Sequence, residues 1–437
     1  LSLALLGRFT MKKYAHVASA MFCVASLFFL GWQVWRIDYL FQGNTNQDSL
    51  ELVRLTKEDW LTAMNALDQE QTQPALEYIA LSQGDPTLAS RRAMLEGRLM
   101  LSMGKPRAAE QAFAEALTDL DIRPQALHWL GAAVYAIGNV PLASRHWLEA
   151  VAAKPDQAPT HRSLSMYFYD LGATDNAVYH LRELAKLEPK DGRPLRLLAL
   201  IHKDNEQYED AAQYYQQALE RTLSDATQQE VLIELTESLL KTRNYQQAFE
   251  AITRCTESND VRVLKAECLS GLGKNEEAIQ ELDLVLAVDA NHLRALLHRG
   301  TLDLEKGNID GAIAALKRAA QSYPLDFTAH FKLSQALRRG EQNELADQEA
   351  AESERIRLIR ERFAKLHLDA SAKPTDATIR VDLGDTALEL QLLDVAKNWY
   401  QAALTIDPKN ENALNSLKKM PSAAQTTPLS PPPSKQP

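Results

Sequence analysis

Ten histidines, three cysteines and one lysine-bearing glycine pair are the residues of this 437-residue sequence whose types could support chemistry. A hydrolytic zinc site places two histidines one helical turn apart as H-E-x-x-H, and a structural one pairs thiolates as C-x-x-C. Neither spacing occurs. Gly271-Leu272-Gly273-Lys274 has the end of a phosphate loop, but the first glycine of G-x4-G-K is missing. Asn275 also stands where a magnesium-binding hydroxyl is needed. No G-x-S-x-G nucleophile elbow occurs, and no stretch is left over for a catalytic domain. The expectation is a protein that is not an enzyme, with no cofactor and no metal.

Two of the cysteines, Cys255 and Cys268, pose a separate question. A disulfide needs their Cα atoms within about 7 Å and an oxidising compartment. The alternative is that Cys255 fills a small-residue position and Cys268 packs beside it. Three cysteines in all cannot build a disulfide framework.

What must position any of these residues is a repeat. Ala75, Ala109, Ala143, Ala177 and Ala211 follow one another at steps of 34 residues. The register slips to Ala248, returns at Ala278, continues through Ala312 and Ala346, and ends at Ala396. Gly104, Gly138, Gly172, Gly273 and Gly307 lie five residues before the alanine, and Gly97, Gly131, Gly300 and Gly384 lie twelve before it. Phe113, Trp147, Tyr215 and Tyr400 lie four after it, a second small residue lies seven after it, and Pro155, Pro189, Pro324 and Pro408 lie twelve after it. Small residues at the contact let two antiparallel helices approach, and a large side chain one turn along fills the space beside them. Glycine ends the first helix in a left-handed cap, and proline after the second cannot continue it. One such unit leaves a face bare, so the core comes from stacking.

With these residues the sequence resembles the tetratricopeptide-repeat (TPR) family, whose pattern is W-x2-L-G-x2-Y, then A-x3-F-x2-A and P. The stretch His128-Trp129-Leu130-Gly131, with Ala143, Trp147, Ala150 and Pro155, matches it best. The resemblance covers roughly residues 57–420 as about ten units, weakest around Ala75 and Ala248. It implies an all-α fold, a right-handed superhelical solenoid of antiparallel helix pairs. It also implies a peptide-binding groove on the first helices, which by position holds Arg91, Met94, Arg98, His128, Tyr135, Arg162, Met166, Tyr169, Arg193, Arg196 and Lys203. That face is basic and partly aromatic, which favours an extended or acidic segment of a partner protein; the alternative is ordinary solvated helix residues. The Lys/Asn pair of chaperone-binding members, four apart on a first helix, is not clear in any unit, and the zinc knuckle that ends some membrane-anchored members is absent.

Two stretches depart from the pattern. Between Ala346 and Ala396 the step is 50 residues, and Glu349 to Leu368 contains no Gly or Pro. It is expected to lengthen a second helix near 345–368 by about four turns, either as a projecting contact feature or as a solvated helix with Glu/Arg pairs. A capping helix is expected at 411–420. Residues 421–437 hold six prolines and read as a disordered, polyproline-like tail.

The N-terminus is of another kind. Tyr14 to Trp35 is a run of 22 residues with no charge, enough for a helix across a hydrocarbon core of about 30 Å. Lys13 and Arg36 bracket it, and no small-residue cleavage site follows, so an uncleaved transmembrane anchor is expected in place of a signal peptide. Arg8, Lys12 and Lys13 precede the run, which predicts residues 1–13 in the cytoplasm and everything beyond a linker at 36–56 outside it. Met11-Lys12-Lys13 has the form of a natural start, which makes residues 1–10 an expected extension.

The bulk numbers agree with one acidic repeat array. The net charge of -10 argues against nucleic acid, which wants a basic surface. Apolar residues are 45% but aromatic ones only 7%, as expected of helix pairs built on alanine and leucine. The leading functional expectation is a membrane-anchored scaffold or adaptor that binds other proteins and organises an envelope complex. The competing ones are a cytoplasm-facing regulatory scaffold and a docking subunit for a separately encoded enzyme.

Overall fold

The computed structural model describes residues 55–420. The expected anchor, its flanks and the proline-rich tail lie outside the described residues; within them no helix is long and apolar enough to cross a membrane.

The chain divides into two bodies, at Pro155 and Asp156. The first holds three helix pairs, numbered here as repeats 1–3: Lys57–Asp68 with Gln73–Leu81, Ala89–Ser102 with Pro106–Ala116, and Arg123–Ile137 with Val140–Ala153. The second holds repeats 4–10. Repeats 4 to 7 are Ala158–Asp170 with Thr174–Leu187, Arg193–Asp204 with Tyr208–Leu219, Asp225–Lys241 with Tyr245–Ile252, and Asn259–Gly271 with Asn275–Val288. Repeats 8 to 10 are Leu293–Glu305 with Ile309–Ser322, Phe327–Arg339 with Asn343–Ala372, and Ala377–Glu389 with Leu393–Ile406. Glu411–Lys419 closes the second body. Among the described residues the architecture is all-α, apart from one isolated parallel bridge between Asp191 and Thr222.

The helices start where the sequence supplies caps. Thr56 and Asp59 form a capping box, and Ser224, Ser258, Asp326 and Asn410 accept backbone N–H groups at the starts of later helices. The register alanines explain the pairing. All ten, Ala75 to Ala396, are 0% exposed. A larger side chain at any of them would have to push two helices apart.

Where glycine stands twelve before the alanine, in repeats 2, 3, 8 and 10, it meets the residue four after it across the pair. A β-carbon on Gly97 would lie 2.6 Å from the Phe113 ring, and one on Gly384 would lie 2.4 Å from Tyr400. Glycine there is a steric necessity. The position five before the alanine is left-handed in every repeat. Five are glycines (Gly104, Gly138, Gly172, Gly273 and Gly307), and Glu70, Glu206, Arg243, Glu341 and Gln391 take the same positive φ in the other five. The backbone shape is therefore imposed by the stack, even where the residue does not prefer it.

The lengthened second helix runs from Asn343 to Ala372, 30 residues. Glu352–Arg355 and Glu354–Arg357 pair one turn apart on its exposed side. It does not project, however. Ile356 and Ile359 are buried, and Phe363 and Leu366 pack against the apolar clusters of repeat 10. Its extra turns carry repeat 10 and are not a free arm.

The second helix of the repeat around Ala248 is Tyr245–Ile252. That helix ends at Ile252, so Cys255 lies three residues beyond it, while Cys268 is inside the next first helix. Both are free thiols of one apolar cluster.

Candidate protein-binding face

The first helices supply the candidate face, and each body is taken by itself. In repeats 2 and 3 most of the expected residues are committed to the fold. Met94 is completely buried, which removes it from any binding surface; it serves as core. His128 is buried too, and its carbonyl accepts the Trp147 indole N–H at 3.0 Å. Arg91 pairs with Asp119 at 3.3 Å, with its guanidinium 5.8 Å from the Trp60 ring centre. Arg98 pairs with Asp68 at 2.8 Å and lies 4.2 Å over the Trp129 ring. Tyr135 is the exposed member of the set, its ring 5.7 Å from that of Trp147.

In repeats 4 and 5 the expected cations are likewise paired. Arg162 meets Glu188, and Arg193 forks onto Asp191 with its closest contact at 2.7 Å. Arg196 bridges Glu230 at 2.7 Å and Glu234 at 3.0 Å, and Lys203 holds Glu237 at 2.7 Å. The basic stripe of repeat 5 thus lies against an acidic stripe of repeat 6. Each cation expected on this face of repeats 4 and 5 stands beside a carboxylate that offsets part of its charge. An incoming acid would have to displace an internal one of equal charge and better preorganised geometry.

The acidic stripe was missed in sequence, although its signal is present: 34 residues beyond Arg196 and Lys203 stand Glu230 and Glu237. Three large apolar or aromatic side chains remain open on the first helices of repeats 4 and 5. Met166, Tyr169 and Leu197 are exposed. A mixed polar and apolar cavity of about 470 Å³ adjoins Tyr169, lined also by Asp170, Thr174, Ile201, Asp204 and Asn205. Burial and the Asp204 charge raise the Tyr169 phenol above its ordinary value, so it stays a hydrogen-bond donor at neutral pH.

Repeat 4 also encloses two imidazoles. His161 and His180 are buried with their Nδ1 atoms 3.0 Å apart, and Phe168 stacks on His180 at 5.6 Å. One Nδ1 must donate and the other accept, so the pair holds one proton between them at that contact. Burial, with His161 alongside, pushes His180 down to about 4. Among the described residues no group of three or more His, Cys, Asp or Glu is placed to hold a metal ion.

Comparisons with known proteins agree with this architecture. A tetratricopeptide-repeat family model matches residues 94–159, 162–226 and 297–358, and a second one matches residues 377–410. The stretches around Ala75 and Ala248, where the spacing is weakest, lie outside the matches. No curated protein matches the chain. Among solved structures, YrrB, a TPR protein with an unusual peptide-binding site, is 18% identical, with 42% of this chain and 95% of that one covered at a TM-score of 0.36. A tetratricopeptide repeat protein from Parabacteroides merdae is 14% identical, with 61% and 98% covered at 0.34. PilF of Pseudomonas aeruginosa is 17% identical, with 47% and 95% covered at 0.34. The chain carries tetratricopeptide repeats.

Proposed function

We propose that this chain, built from tetratricopeptide repeats, is a membrane-anchored scaffold that binds other proteins and holds them in an envelope complex. It works by binding alone, with no bond made or broken. The observation that carries the reading is the contrast between the invariant interior of the repeats and their divergent first-helix faces. The register alanines are identical and buried, whereas the faces change from cation–carboxylate stripes in repeats 5 and 6 to exposed Met166, Tyr169 and Leu197 in repeats 4 and 5. Such a stack is well suited to presenting different surfaces at fixed spacings. Protein partners are the ligand class that repeats of this family take.

The anchor rests on the uncharged run Tyr14–Trp35, and the direction of insertion on the basic residues before it. Alkaline phosphatase fused after residue 60 is expected to be active, placing the repeats outside the cytoplasm. An inactive fusion, with a cytoplasmic reporter active at the same point, would reject the envelope reading and favour a cytoplasm-facing scaffold. Co-purification of the detergent-solubilised full chain tests the scaffold itself: a stoichiometric partner is expected. A chain that is recovered alone at native expression under mild cross-linking would overturn it, and a separately encoded enzyme in the complex would make this chain its docking subunit.

A further inference from the structure

The turns inside repeats 2 and 3 form an edge of the first body that the candidate protein-binding face does not include. Met103 is 53% exposed at the first turn, and Ile137 stands half-buried at the second. A cavity of about 480 Å³ opens between them, lined by Lys105, Pro106, Arg107, Ala108 and Ile137. Arg107 and Pro141 are equivalent positions, 34 residues apart. The second helix of repeat 3 therefore continues the same side through Pro141, Arg145 and Leu148, all exposed and three or four residues apart.

The charge of this edge is one-sided. Lys105, Arg107 and Arg145 are exposed, and among the described residues none of them lies within ion-pair distance of a carboxylate. Glu110 is the acid between them; it is partly buried, and its charge acts on His146 of the neighbouring helix. Asp119, Asp121 and Glu149 lie towards the opposite end of the helices, where they hold Arg91 and Arg123. Glu70, in the turn of repeat 1, bounds the cationic patch.

Apolar side chains set among cations suit a phospholipid surface, because methionine can enter the interface while the basic groups stay with the phosphates. The tether favours that surface over a soluble acidic partner. Nineteen residues, 36–54, separate the end of the uncharged run from Leu55, and a chain of that length spans at most about 65 Å. The first body thus stays within reach of the bilayer that holds the run, at an effective concentration that no free partner shares. We propose that this edge lies against an anionic phospholipid surface, with Lys105, Arg107 and Arg145 on headgroup phosphates and Met103 in the interface. The proposal rests on the anchored reading above. Its consequence is orientation: the acidic ends of repeats 2 and 3 point away from the membrane.

The test uses the full chain reconstituted in phosphatidylcholine vesicles and in vesicles of equal parts phosphatidylcholine and phosphatidylglycerol. Flotation after a salt wash reads the anchor, and amide hydrogen exchange followed by mass spectrometry reads the contact. The chain is expected to float with both vesicles. Exchange in peptides covering 102–108 and 136–146 is expected to be at least about threefold slower on the anionic vesicles, a difference that high salt removes. The triple variant Lys105→Gln, Arg107→Gln, Arg145→Gln should exchange on anionic vesicles as the parent does on neutral ones. Arg123→Gln, towards the acidic end, should keep the protection. Thermal unfolding of each variant separates lost contact from lost folding. A floating chain with equal exchange on both vesicles, or a folded triple variant with full protection, would overturn the contact and leave the anchor standing. Protection by soluble polyglutamate but not by anionic vesicles would overturn it in favour of an acidic protein segment. A chain that does not float would overturn the anchor, and the contact with it.

Discussion

A β-carbon on Gly131 would stand 2.4 Å from the indole Nε1 of Trp147. That nitrogen is held by the His128 carbonyl at 3.0 Å, so the ring cannot swing away without losing its buried hydrogen bond. Gly131→Ala is therefore expected to destabilise the first body by about 1–3 kcal/mol through overpacking. Thermal unfolding followed by circular dichroism checks this. An unchanged midpoint would mean that the two helices can part without penalty.

The left-handed positions give a prediction of opposite sign. Glu206 and Arg243 hold φ of 59° and 61° that glycine adopts freely. Glu206→Gly and Arg243→Gly are each expected to be neutral or to stabilise by up to about 1 kcal/mol, relieving the left-handed penalty. Gly138→Ala, at φ 95°, should destabilise by about 1 kcal/mol or more. Chemical denaturation of the three variants tests whether the stack imposes the turn.

Acid should weaken repeat 4. His180 lies near 4 in the fold against an ordinary value of 6.5, because it is buried beside His161, with Glu183 pulling the other way. A histidine whose folded value is depressed contributes stability that is present above about 6.5 and lost as the pH falls towards about 4. The loss is on the order of 3 kcal/mol at most. His180→Phe should flatten this window of the stability–pH curve. A curve of the same shape in the variant would assign the acid sensitivity elsewhere.

The long helix is tested by contrasting its two sides. Ile356 is 0% exposed and Leu358 is 51% exposed. Ile356→Ala is expected to cost about 2–4 kcal/mol. Leu358→Ala should stay within about 0.5 kcal/mol. Similar small effects at both would indicate a solvated arm.

The thiols should differ in accessibility. Burial pushes the Cys268 thiol up to about 12 and also raises Cys255, which is only partly buried. Iodoacetamide labelling read peptide by peptide is expected to modify Cys255 slowly in the native chain and Cys268 only after unfolding. Absence of both modified peptides after unfolding without reductant would point to a disulfide instead.

The interior was legible in the sequence because its rule is local and repeated. One alanine, one gap-filling side chain one turn on and one left-handed residue recur at fixed offsets, so Ala75 and Ala248 could be placed even where little else matched. The binding face was not legible to the same degree. Position alone puts Arg196 and Lys203 on a first helix. Whether their charge is available depends on Glu230, Glu234 and Glu237 in the following repeat, a contact between stacked helices. Met94 shows the opposite case: the same helical position is buried at Trp60, His128, Val263 and Val381, so its burial could have been read from the repeat.

The helix from Asn343 to Ala372 holds the start of repeat 9 through Ser353 and Arg360, which donate to the Phe327 and Leu325 carbonyls. It holds repeat 10 with its second half, through Arg362 to Glu389 and through Phe363. The two grips share one uninterrupted run of backbone hydrogen bonds. Order in the last repeat is thereby inherited along a shaft as well as across a packed interface. A proline in the middle of that shaft would break the backbone run that joins the two grips. The same continuity makes the junction a poor hinge, because no loop interrupts the helix between the two grips.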